Sequence, residues 1–63
     1  MKLSIKAART NRGMTQDELA RSLNVTKKTV SAWENGKAFP KVDKVDALCE
    51  VLGVKYDDIK WRA

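Results

Sequence analysis

The sequence predicts an all-α fold, a compact bundle of five short helices in a single domain spanning residues 1–63. Three observations carry this. Apolar residues recur three and four apart along most of the chain, and no stretch alternates with the period of a strand. Ser4, Thr15 and Thr26 stand where helices would begin, each able to accept from a free helix-start amide. Gly13, Asn24, Gly36 and Gly53 stand where helices would end.

The first helix is expected over Met1 to Arg12, with Leu3, Ile5 and Ala8 facing a core. Ser4 is a candidate cap that would start it later. Gly13 stops it, and Met14 is placed to pack on Leu19 as a hydrophobic staple. The second helix, about Gln16 to Leu23, opens with a capping box, Thr15-Gln16-Asp17-Glu18. Leu19, Ala20 and Leu23 form its apolar face.

Asn24-Val25-Thr26 is a tight turn, and the third helix runs from about Lys27 to Asn35. Val30 and Trp33 share its inner face, so Lys27, Lys28, Ser31 and Ala32 fall outside. Two adjacent lysines at a helix N-terminus oppose the helix dipole, at a local cost of a few tenths of a kcal/mol. They make sense if that end points at an anion. The fourth helix follows the loop 37–39 and Pro40, at about Val42 to Leu52. Val42, Val45, Leu48, Cys49 and Leu52 make its apolar stripe. Val54 is expected in the core. A fifth helix, about Tyr56 to Trp61, has Asp57 and Asp58 in its first turn and Ile59 facing inward.

A chain of 63 residues supports one small domain, with a stability of roughly 3–5 kcal/mol. One cysteine and no histidine leave no internal disulfide and no expected metal site or cofactor. Cys49 reads as a small core residue. Nothing suggests an enzyme: there is no histidine, no cysteine beside a base, no carboxylate pair in an apolar setting and no glycine-rich phosphate loop. No apolar run approaches the ~20 residues needed to span a bilayer, and no signal-peptide core is present, so a reducing cytoplasm is expected.

The net charge of +5 is uneven. Residues 1–41 hold nine basic and three acidic side chains, and residues 42–63 hold four basic and five acidic. A basic half beside a near-neutral half suits a polyanion-binding surface, although solubility alone would also explain it.

Taken together, Gln16, Ala20, Asn24, Val30 and Trp33, at first, fifth, ninth, fifteenth and eighteenth places, resemble the helix-turn-helix of the phage Cro/repressor and Xre family. Only Asn24 departs from that pattern, which has Gly there. Trp33-Glu34-Asn35-Gly36 is also typical of the family, and the likeness runs from about Leu3 to Ile59. It implies a duplex-DNA-binding transcription regulator, with no small-molecule ligand and no membrane partner expected.

By this resemblance the third helix reads base edges in the major groove through Lys27, Lys28, Ser31 and Ala32. Lys27 and Lys28 could instead meet phosphates or solvent. Phosphate contacts would come from Gln16, Thr26, Asn35, Lys37 and Lys41, with Arg12 and Lys6 as further candidates that could equally be solvated. Family members also pair an Arg on the first helix with the Glu before Asn-Gly, here Arg9 and Glu34. The alternative is a loose surface pair worth about 0–1 kcal/mol. Trp33 is expected in the core.

Val54, Tyr56, Ile59 and Trp61 form a candidate self-association patch, unless Trp61 folds back onto its own fourth helix. The expected protein is a repressor of phage or bacterial origin that binds a near-palindromic operator as a homodimer, which is weak, assembled only on DNA, or made by the C-terminal helix. The alternative is an antitoxin-like or regulatory protein-interaction module whose DNA binding is secondary.

Overall fold

The computed structural model describes residues 2–61 and is all-helical. Its elements are α1 (Ile5–Asn11), α2 (Gln16–Leu23), α3 (Lys27–Glu34), α4 (Val42–Leu52) and a single 3-10 turn, Tyr56–Asp58. Four helices and a turn replace the five helices expected. The expected start of the first helix at Met1 lies outside the described residues.

Each helix begins and ends for a local reason. Ser4 Oγ accepts from the Ala7 amide at 3.0 Å, so α1 starts at Ile5. Ser4 was the alternative start, and Leu3 is left outside the helix. Thr15 and Glu18 close the capping box in both directions, at 3.1 and 2.8 Å. Thr26 Oγ1 accepts from the Thr29 amide at 3.2 Å to start α3. All four α-helices then end on one device. A residue with positive φ (Gly13, Asn24, Gly36 or Gly53) is followed by an amide that reaches back five residues. At Asn24 the left-handed angles, φ 58° and ψ 42°, fall on a residue with a Cβ. Asn tolerates this where most L-residues do not, so the turn between α2 and α3 forms without the family's glycine.

The core is Ile5, Ala8, Leu19, Ala20, Leu23, Val30, Trp33, Leu48, Leu52 and Ile59, all buried. Leu3, Met14, Val25, Val54 and Trp61 pack against it half-buried. Val45 is buried too, whereas Val42 is 83% exposed and does not join the apolar stripe. Helical side chains lean toward the N-terminus. Val42, in the first position of α4, therefore overshoots the elements that cover Val45 and Leu48.

The expected fifth helix fails for a different reason. Ile59 is extended, at φ −107° and ψ 135°, and bridges to Leu3 in parallel. Leu3 donates its amide to the Asp58 carbonyl at 2.8 Å, and Lys60 donates to the Leu3 carbonyl at 2.7 Å. Burial of Ile59 at 1% exposure and this pairing outweigh the helix-start signal of Asp57 and Asp58. Cys49 is half-buried rather than fully in the core. Burial, and then the charges of Asp46 and Asp58, push its thiol up, away from thiolate chemistry.

Candidate nucleic-acid interface

The second half of the α2–α3 unit presents its start to solvent. Lys27 and Lys28 are exposed in the first turn of α3, and that turn contains no acidic residue. Ser31 and Ala32 follow on the same side, half-buried, while Val30 and Trp33 hold the opposite side in the core. Both lysines therefore point away from the protein, as the spacing of Val30 and Trp33 requires.

Behind this face lies a buried polar network. Arg9 Nε donates to Glu34 Oε2 at 2.7 Å, and Arg9 Nη2 donates to Oε1 at 3.3 Å. The two side chains are 9% and 3% exposed, so this is a buried pair and not a loose surface one. Arg9 Nη1 also donates to the Met14 carbonyl at 2.7 Å. Gln16 Nε2 donates to Glu34 Oε1 at 2.9 Å. Both charges are thus met by hydrogen bonds, as burial demands. The network joins the end of α1, the α1–α2 corner, the start of α2 and the end of α3.

The Gln16–Glu34 bond was not legible in the sequence, because nothing in a spacing of 18 residues announces it. A bond between Asn35 Nδ2 and Ser31 Oγ, at 3.2 Å, was missed as well, although their spacing of four could have suggested it. A third addition is Lys44, whose Nζ donates to the Leu23 carbonyl at 2.8 Å and closes the C-terminal end of α2 from α4.

The expected phosphate-contacting residues divide. Gln16 and Lys27 line one open cleft together with Thr15 and Asp17. Thr26 uses its hydroxyl to cap α3, with Thr29 Oγ1 only 2.9 Å away. Asn35, Lys37 and Lys41 are exposed, and Lys41 is the residue immediately before α4. Arg12 has a different setting. A Cβ built on Gly53 would stand 3.4 Å from Arg12 Nη1, so this guanidinium lies against the C-terminal end of α4. There it complements the negative end of that helix dipole.

The expected association patch also changes. Ile59 belongs to the core and offers no surface. Trp61 folds back, stacked on Tyr56 with ring centroids 5.3 Å apart and tilted against Phe39 at 6.1 Å. Its Nε1 donates to the Tyr56 carbonyl at 3.0 Å. Phe39, Val42 and Tyr56 remain 49%, 83% and 55% exposed. Among the described residues no group of three or more His, Cys, Asp or Glu side chains could hold a metal ion, and no helix is long and apolar enough to cross a membrane.

Two short helices meeting at a left-handed corner, the second with a basic and solvent-facing start, define a helix-turn-helix domain. The sequence model of the helix-turn-helix family matches residues 5–59, and the chain belongs to that family, with the corner pattern of its Cro/repressor and Xre members.

The chain is similar to the uncharacterized HTH-type transcriptional regulator YgzD of Bacillus subtilis, 31% identical over 61 residues, or 97% of this chain and 92% of that protein. It is also similar to the 26 kDa repressor protein of Escherichia phage HK022, 47% identical over 38 residues, or 60% of this chain and 16% of that protein. Among solved structures, the clp gene regulator ClgR of Corynebacterium glutamicum superposes with a TM-score of 0.80 at 26% identity, covering 86% of this chain and 57% of that one. The chain therefore spans nearly all of one relative and a small part of another.

Proposed function

We propose that the chain is a sequence-specific, duplex-DNA-binding transcription regulator that places the start of α3 in the major groove. The observation that carries this is the exposure of Lys27 and Lys28 at that start, where they work against the helix's own dipole. An anion removes the conflict, and the DNA backbone supplies one. Lys27, Lys28, Ser31 and Ala32 then meet base edges. Gln16, Asn35, Lys37 and Lys41 hold phosphates on either side, joined by the backbone amides near Thr26. The names of the repressor and regulator relatives support this reading.

The protein acts as a repressor, as a homodimer on a near-palindromic operator with half-sites about one helical turn apart. Phe39, Val42 and Tyr56, with half-buried Trp61 and Val54, form the contact between the two copies. Only three large apolar side chains are exposed there among the described residues, so the dimer forms on DNA and not in dilute solution.

Selection from a randomised duplex pool at about 150 mM salt tests this, with sequencing of the retained fraction. A two-fold symmetric motif is expected. Retention without a motif would leave only electrostatic binding. No retention would favour a protein-interaction module instead. A transcription assay on the selected site then reads the direction of regulation.

A further inference from the structure

We propose that Asn35-Gly36 is a self-modifying site: the asparagine that ends α3 deamidates when that helix end opens, and the domain thereby loses grip on duplex DNA. The loss of grip rests on the DNA-binding reading above, whereas the modification does not.

The chemistry is intramolecular. The Gly36 amide nitrogen attacks Asn35 Cγ, a new N–Cγ bond forms, and the side-chain nitrogen leaves as ammonia. The Gly36 amide proton passes to solvent base, and the leaving nitrogen takes one from water. Water then opens the cyclic imide at either carbonyl, giving an aspartyl or an isoaspartyl residue. The attack demands a following residue whose side chain does not screen the nitrogen. The chain has three asparagines, and Asn35 is the one followed by glycine. Arg12 follows Asn11, and the β-branched Val25 follows Asn24. Asn35 and Gly36 are both exposed, so water reaches the pair.

The fold holds this pair short of reaction. Ring closure needs the Gly36 nitrogen to eclipse Asn35 Cβ about the Cα–C bond. At ψ 4° it eclipses the Asn35 nitrogen instead. The end of α3 maintains that angle. Gly36 donates its amide to the Trp33 carbonyl at 3.3 Å, and Lys37 and Ala38 donate to the Ala32 carbonyl at 2.9 and 3.3 Å. The side chain is tethered as well, Nδ2 to Ser31 Oγ at 3.2 Å. Three of these four bonds lie at or beyond the long end of the usual range. All of the donors are on exposed residues, and a helix end of this kind opens without unfolding the domain.

The product alters the DNA-facing side. A carboxylate at position 35 has no proton to give a phosphate and is repelled by it. It also stands at the negative end of the α3 dipole. The isoaspartyl form adds a carbon to the main chain, which takes the amides of Gly36, Lys37 and Ala38 out of register with Trp33 and Ala32.

The test incubates the native chain at mildly alkaline pH, folded and in guanidinium chloride, and follows conversion by peptide mapping. Conversion is expected at Asn35 ahead of Asn11 and Asn24. Folding is expected to slow it about tenfold, as local opening of a helix end allows. A slowing of about 300-fold or more would overturn the inference, because the site would then open only with the whole domain. Equal rates would overturn it as well, since the end of α3 would gate nothing. So would earlier conversion at Asn11 or Asn24.

Duplex affinity is the second readout. The converted chain, separated by its added negative charge, is expected to bind random-sequence duplex about tenfold more weakly than the fresh chain. Asn35→Asp reproduces one product directly and is expected to show the same loss. Asn35→Gln keeps an amide but closes a ring only slowly, so its affinity, whatever its starting value, is expected to hold through the incubation. Unchanged affinity in both the converted chain and Asn35→Asp would overturn the inference and leave the DNA-binding reading standing. A fresh chain that bound no duplex would overturn that reading and the loss of grip with it, while the conversion rates would still report the site.

Discussion

Arg9 and Glu34 face each other across 25 residues of chain, Nε to Oε2 at 2.7 Å, and neither side chain is more than 9% exposed. Removing one partner leaves an uncompensated buried charge, so Glu34→Ala should cost about 3–5 kcal/mol, close to the whole stability of so small a domain. Replacing both residues at once, as Arg9→Met with Glu34→Leu, should cost less than Glu34→Ala alone. Urea unfolding of the two variants decides this. A loss below about 1 kcal/mol for Glu34→Ala would place the pair in the class of solvated surface bridges.

Asn24 holds a left-handed conformation that a Cβ disfavours by roughly 1–2 kcal/mol in an ordinary residue. Asn24→Ala should therefore lower stability by about 1 kcal/mol, whereas Asn24→Gly should stay within about 0.5 kcal/mol of the native chain. Thermal melts of the two variants test the corner directly. Equal losses in both would mean that the Asn24 side chain matters and its backbone does not.

The capping box gives α2 an acid-sensitive start. The Thr15 amide, and then the Thr15 hydroxyl, hold the Glu18 carboxyl below its usual range. A lowered value in the folded state means that the box supports the fold above the ordinary glutamate range. That support is lost as pH falls through the folded value. Glu18→Gln keeps the hydrogen-bonding shape without titrating, so its stability should fall less steeply on the acid side than that of the native chain. Superimposable acid limbs would show that Glu18 contributes nothing as a charge. Thr15→Ala, which removes the cap itself, should cost about 1 kcal/mol at neutral pH.

Lys28 and Lys37 are both exposed, and they separate two kinds of contact. Lys28→Glu reverses a charge at the proposed base-reading position and should weaken specific binding by about 100-fold or more, with unfolding within about 0.5 kcal/mol of native. Lys37→Ala should weaken binding to all duplexes alike and lower the log–log salt slope by about 0.9. Fluorescence anisotropy over a salt series reads both. A Lys28→Glu protein that still selected the native motif would show that α3 is not the reading helix.

Much of the fold is legible because its signals are local. Thr15 with Glu18, Thr26, and the stops at Gly13, Asn24, Gly36 and Gly53 act within one turn of chain, and the bounds of α2 and α4 follow from them. Long-range partners decide the rest. Ile59 leaves the helical pattern because Leu3 pairs with it, and Leu3 is 56 positions away in the sequence. Val42 obeys the helical period and is still exposed, because a period does not say how far the neighbouring elements extend. At the interface, the outward side of α3 followed from Val30 and Trp33. Gln16 on Glu34 required the three-dimensional crossing of α2 and α3.

The bridge between Leu3 and Ile59 also determines how the domain bears load. The bridge is parallel, so tension on the two ends would pull its partners in opposite directions along their length, loading both hydrogen bonds, 2.8 and 2.7 Å, at once and not in succession. Between these clamped points lie all four helices. A tether at either end would transmit force to this shear joint before it reached α3, leaving the exposed start of that helix undisturbed until the joint gave way.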